Sequence, residues 1–180
     1  ELALSDSAGS LSGLGTQFVH FAQVAVDTGA NWTLSAANTV AAGGTLTNAG
    51  TLTATGSLQN DGSIIGTGGA AGDYGAVIGT AGTLANLGTA ALIQGYGGVL
   101  VGADGTVTNA STIGSTQGGD GVALRFTGGN ARLIDDPGAV FAGTVNGDGT
   151  AVLELASAGG AGAITDVGGS VTNFTSLVFD

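Results

Sequence analysis

The chain has 180 residues, 37 of them Gly, with one Pro, no Cys, no Met and only 8% charged residues. Its net charge is −11, and Arg125 and Arg132 are the only Lys or Arg side chains, so a polyanion such as DNA and an anionic membrane surface are both repelled. No apolar run approaches the roughly 20 residues that span a bilayer, which excludes membrane insertion by a helix.

The residues that exposed helix faces rely on are nearly missing, while Gly, Thr, Val and Asn are plentiful. That mix suits short strands separated by tight turns. Hydrophobic residues make up 43% of the chain and recur periodically, which argues for a folded chain over a disordered one. No signal peptide is visible, and a start at Glu1 reads as a piece of something longer. The absence of Cys fits a protein that avoids cross-linking during export.

Residues 1–27 align without a gap on residues 154–180, an offset of 153. Glu1, Leu2, Ala3, Ala8, Gly9, Gly15, Phe21 and Asp27 meet Glu154, Leu155, Ala156, Ala161, Gly162, Gly168, Phe174 and Asp180. Leu14, Phe18, Val24 and Val26 meet the apolar Val167, Val171, Leu177 and Phe179. The expected organisation is a tandem array whose unit is residues 1–153, with 154–180 opening the next unit. The whole of 1–180 then forms a single solenoid segment whose natural partners are neighbouring units.

Within 14–34, alternation predicts two strands, one carrying Phe18, His20 or Phe21, Val24 and Val26, the other Trp32 and Leu34, with a turn over residues 27–31. His20 is the sole histidine, and Asn173 stands in its place in the second copy, so a catalytic role is not repeated.

From Gly43 onward one motif recurs: Gly, Thr or Ser, an aliphatic residue, any residue, Asn. It places Asn48, Asn60, Asn86, Asn109 and Asn173 at strand ends. The aliphatic residue points inward and its neighbours face water. The Asn side chains are expected at corners, in the left-handed region, bonding from coil to coil as a structural ladder. Residues 75–98 align on 98–121 at an offset of 23, with Ala76-Val77-Ile78 over Val99-Leu100-Val101, Asn86 over Asn109, Thr89 over Thr112 and Gln94 over Gln117. A period of this length, built from apolar runs and turn residues, predicts an all-β, right-handed parallel β-helix of about 7–8 coils, each of roughly 20–26 residues.

Residues 125–148 interrupt the motif and gather Arg125, Arg132, Asp135, Asp136 and Pro137. Arg125, Arg132, Asp135 and Asp136 are the candidate carbohydrate-site residues, against the plainer reading of a solvated corner with Arg132 paired to Asp135 or Asp136. Pro137 is expected at a coil corner, since it cannot donate to a ladder.

Gly118-Gly119-Asp120-Gly121 and Gly147-Asp148-Gly149 resemble the Ca²⁺-binding nonapeptide, which works by stacking many copies; these are isolated, so no cofactor is expected, with Ca²⁺ the one alternative weighed. With no Cys, no Lys and a single His whose place in the second copy is taken by Asn173, neither a Ser-His-Asp set nor a zinc site is expected without a second chain, and no catalytic residue is expected. The Thr-x-Thr pairs are too few and uneven for ice binding, and two of three N-glycosylation sequons coincide with ladder Asn residues.

The strings at 44–52 and 105–113 resemble passenger regions of bacterial autotransporter and filamentous-haemagglutinin-like adhesins. That resemblance implies a β-helix on the outside of a bacterium, acting as a non-catalytic stalk of a large surface adhesin. Rods of this kind associate side by side, as in biofilms, or bind surface glycans. No secretion domain or outer-membrane barrel accompanies the motif in these residues. The alternative is a carbohydrate-active or glycan-binding β-helix with its site near Arg125–Asp136.

Overall fold

A computed structural model describes residues 1–157 and 162–180. Ala161, the partner of Ala8 in the 153-residue offset, lies outside the described residues.

Strands come in threes. The first coil has β1 (Leu2–Leu4) and β2 (Gly9–Leu11), and Leu14 closes its third side, its carbonyl accepting from Thr39 N at 2.8 Å. Then follow β3 (Gln23–Val26), β4 (Asn31–Leu34) and β5 (Ala37–Val40); β6 (Thr45–Asn48), β7 (Thr51–Ala54) and β8 (Ser57–Asn60). The next coils hold β9 (Ser63–Gly66), β10 (Tyr74–Ile78) and β11 (Thr83–Asn86); β12 (Leu92–Gly95), β13 (Gly97–Val101) and β14 (Thr106–Asn109). After these come β15 (Thr112–Ser115), β16 (Val122–Phe126) and β17 (Arg132–Asp135), and then β18 (Val140–Ala142). The long β19 (Thr144–Leu155) runs round a corner, its first part pairing with β16 and its second with β17; β20 (Val171–Phe179) lies along it.

Every pairing is parallel, and the result is a β-solenoid of about eight turns with three faces. The first face is β1-β3-β6-β9-β12-β15-β18. The second is β2-β4-β7-β10-β13-β16 and the start of β19; the third is β5-β8-β11-β14-β17 and the end of β19.

Alternation along four-residue strands sends every second side chain inward, and stacking places like on like. On the first face Leu46, Ile64, Ile93 and Ile113 are successive partners. On the third, Leu58, Leu84, Val107, Leu133 and Leu153 form an equivalent column. All nine side chains are buried, and they belong to one continuous core that runs the length of the stack. The Gly residues just before β8 and β9 have a steric cause. A Cβ on Gly56 would overlap the Ala36 carbonyl oxygen of the coil beside it, and one on Gly62 the carbonyl oxygens of Ala41 and Gly44.

Four expectations need correction. The offset of 23 holds from Tyr74 to Asn109 but not beyond: Leu92 pairs with Thr112, an offset of 20, so Gln94 faces Gly114 and not Gln117. Coil length is uneven because loops 67–73 and 116–121 are inserted at the corner between the first and second faces; partners lie 18 to 29 residues apart on the first face. Residues 125–148 do not break the stack, since β16 to β19 continue it in register apart from one shift between Val122 and Leu124. Phe18, Val19 and Phe21 are exposed and outside any strand, and His20 has φ 63°.

The ladder Asn residues also depart from the expected backbone conformation. Among Asn48, Asn60, Asn86, Asn109 and Asn173, only Asn173 adopts a left-handed backbone (φ 59°). The others end strands in extended conformation, and the corners are turned by residues such as Ala36, Ala81 and Asp104.

Candidate functional site

The Asn residues separate into three settings. Asn60, Asn86 and Asn109 are in register on the third face. Asn60 Nδ2 donates to Asn86 Oδ1 at 2.8 Å, and Asn86 Nδ2 donates to Asn109 Oδ1 at 2.8 Å. The same amides also donate to the carbonyls of Leu92 and Thr112, across the corner to the first face. Each amide is wholly buried, so it ties two faces and two coils together where water cannot compete. Asn48 lies on the first face instead, its Nδ2 donating to the Tyr74 and Gly75 carbonyls. Asn173 is exposed on β20 and donates to Asn146. Asp135 occupies the next rung beyond Asn109. Burial pushes its carboxyl up to about 6, and the neighbouring Asp136 charge adds to the rise.

The four carbohydrate-site candidates do not form one site. Arg132 and Asp135 are three apart on β17, so they point to opposite sides of the sheet. Arg132 makes its ion pair with Glu154 on β19, not with Asp135 or Asp136. That is a diagonal cross-strand pair, since Arg132 is level with Val152. Asp135 and Asp136 border a small cleft with Asp180, Pro137, Leu155, Ile164 and Phe179, three carboxylates beside apolar side chains with no basic group among the lining residues.

Arg125 lies on the second face, and there the structure brings together residues that the repeating motif does not contain. An open groove of about 640 Å³ is lined by Tyr74, Tyr96, Gln117, Asp120 and Arg125, together with Gly72 and Gly97. Its walls are the two loop insertions, 67–73 and 116–121. The Tyr74 ring lies over Gly97, where a Cβ would come within 2.6 Å of Tyr74 Cδ1. Ser115 Oγ donates to the Tyr96 carbonyl and accepts from Gln117 N at 3.0 Å, which sets the second loop against the first face. Two aromatic faces, a guanidinium, a carboxylate and an amide offer stacking and both polarities of hydrogen bond on an exposed surface. In the sequence only Tyr74 adjoins a loop insertion; Tyr96 is the single residue between β12 and β13, so no local signal marks the groove.

Hydrolysis of a glycosidic bond uses a pair of carboxylates flanking it. Asp120 is the one carboxylate among the residues lining this groove. Among the described residues no group of three His, Cys, Asp or Glu is placed to hold a metal ion, and no helix is long and apolar enough to cross a membrane.

Comparison with known proteins adds no relative: no family profile, curated protein or solved structure matches this chain.

Proposed function

We propose that the chain is a non-catalytic spacer unit of a large secreted or surface-displayed bacterial adhesin. The observation that carries this reading is the continuous stack: strands, core column and Asn ladder all repeat along one axis, and the chain's apolar residues are spent on that column rather than on an enclosed site. A coil rises about 4.8 Å, so length is gained slowly, and a spacer of this architecture needs many units. The acidic surface keeps rods apart at neutral pH and lets them approach where charge is screened or lost, which is the route to side-by-side association.

The test is to express chains with one, two and three tandem units and measure the maximum dimension by solution scattering. Equal increments per unit support a spacer; a particle that grows in all directions contradicts it. Incubation with neutral and acidic polysaccharides is the second arm. Turnover that disappears in Asp120→Asn or Asp135→Asn overturns the non-catalytic reading.

A second reading has its own observation, the Tyr74–Tyr96–Arg125 groove. It makes the unit a glycan-binding module without turnover. A glycan array with the chain and with Tyr74→Ala and Arg125→Ala variants decides it: binding lost in both variants favours this reading.

A further inference from the structure

The 153-residue offset is visible in three dimensions. A parallel bridge joins Leu14 to Phe18, and another joins Val167 to Val171. Gly15 N donates to Phe18 O at 3.0 Å, and Gly168 N to Val171 O at 2.8 Å. Phe18 N donates to Gly13 O, and Val171 N to Asp166 O. The left-handed residues coincide as well: Gly13, Gly15 and His20 match Asp166, Gly168 and Asn173. Residues 13–20 and 166–173 therefore form the same loop twice.

The two copies differ in what covers them. Val167, Leu177 and Phe179 are 56, 43 and 74% exposed. Their counterparts Leu14, Val24 and Val26 are buried, because β5 and β6 lie on them. The opposite end mirrors this. Phe18 and Phe21 are exposed, whereas Val171 is buried beside Val145 on β19 and Phe174 packs edge-on against Phe126 at 6.1 Å. Each exposed apolar cluster at one end thus has a covered twin at the other, and the covering element is a coil of this same sequence.

The copies also sit on different faces. The strand 23–26 lies on the first face, but its twin 176–179 pairs with the end of β19 on the third. Leu14 adjoins β5 on the third face, and the loop of Val167 and Val171 adjoins Val145 on the second. Every copy has stepped back one face. The end of β19 stands to residues 176–179 as β1 stands to β3, so one unit runs from β1 through the first part of β19: six full coils of three strand positions plus two more, twenty in all.

We infer that the partner of both end surfaces is a further copy of this 153-residue unit, and that each unit continues the coil stack turned by one third of a circle relative to the last. Twenty positions on three faces are six and two-thirds turns, or about 32 Å at a coil rise of about 4.8 Å. Three units restore the starting face after twenty whole turns. The groove of Tyr74, Tyr96 and Arg125 then recurs as a staircase on all three corners of the rod, not as a line along one side. This rests on the tandem-array form of the spacer reading and adds the phase.

The test is the crystal structure of a chain extended past Asp180 by residues 28–180 of the same sequence. The expected result is one uninterrupted solenoid in which the second copy of the Asp120 loop lies at the corner between the third and first faces. Its original lies between the first and second. An uninterrupted rod with both loops on the same corner overturns the inference and leaves the spacer reading intact. A kinked or compact particle overturns both. Phe179→Asp supplies a measurement independent of crystals. It leaves the melting temperature of the 180-residue chain nearly unchanged, and lowers that of the extended chain by several degrees, as Val26→Asp does. No added sensitivity in the extended chain overturns the inference.

Discussion

Asn86 is the central rung of the buried amide column, and it makes three contacts: it accepts from Asn60 and donates to Asn109 and to the Thr112 carbonyl. Replacing it with Ala removes all three and strands buried partners, each costing about 1–3 kcal/mol. Asn86→Ala is expected to lower unfolding stability by about 3 kcal/mol in urea titration, whereas Asn173→Ala at an exposed position changes it by less than about 0.5 kcal/mol. The column is unsatisfied at both ends, and at its first rung Asn60 Oδ1 is buried without a donor. Asn109 Nδ2 is buried without a protein acceptor, and the next rung is Asp135, whose carboxyl is held at about 6 against an ordinary value of 3.8. A raised carboxyl favours the folded state while protonated. Its contribution is complete below pH 3.8 and is lost as pH rises through about 6. Asp135→Asn removes that loss and continues the amide column. It is expected to flatten the stability profile between pH 4 and 6 and to raise stability at pH 7 by about 1 kcal/mol, read from denaturation midpoints across that pH range.

At the scale of the strand and its corner, glycine sets how closely coils approach. Gly56→Ala places a methyl on the Ala36 carbonyl, which is backbone and cannot swing away. The expected cost is about 2–3 kcal/mol or a failure to fold. Gly69→Ala, which meets open space with no unusual φ, is expected to be silent in the same thermal melt. This explains how much of the fold was legible beforehand. The motif residues carry their own physics: Leu84 stacks on Leu58 and Val107 because an alternating pattern with a fixed corner leaves one register in which apolar meets apolar. The positions of Asn48 and Asn60, twelve apart on two faces of one coil, followed from the same pattern. What local pattern does not encode is loop length at the corners. The break in the 23-residue period after Asn109 arises from the corner at 87–91, and only the paired coils reveal it. The groove was hidden for the same reason: Tyr74, Tyr96 and Arg125 are brought together by stacking across three coils, while the charge cluster that stood out in the sequence is divided between two faces.

For the whole molecule, the account stands on parallel coils whose matching residues lie directly on one another. Disulfide trapping reads that register, and the absence of native Cys gives a clean background. Thr83 and Thr106 are partners on neighbouring coils, with Cα atoms about 4.8 Å apart, inside the range a disulfide spans. Thr83 and Thr108 are two positions out of register and about 8 Å apart. The double variant Thr83→Cys/Thr106→Cys is expected to oxidise fully in the folded chain with its stability kept, and Thr83→Cys/Thr108→Cys to remain reduced. Oxidation of the second pair in preference to the first, or of neither, contradicts the stacked-coil account and with it the spacer built on it.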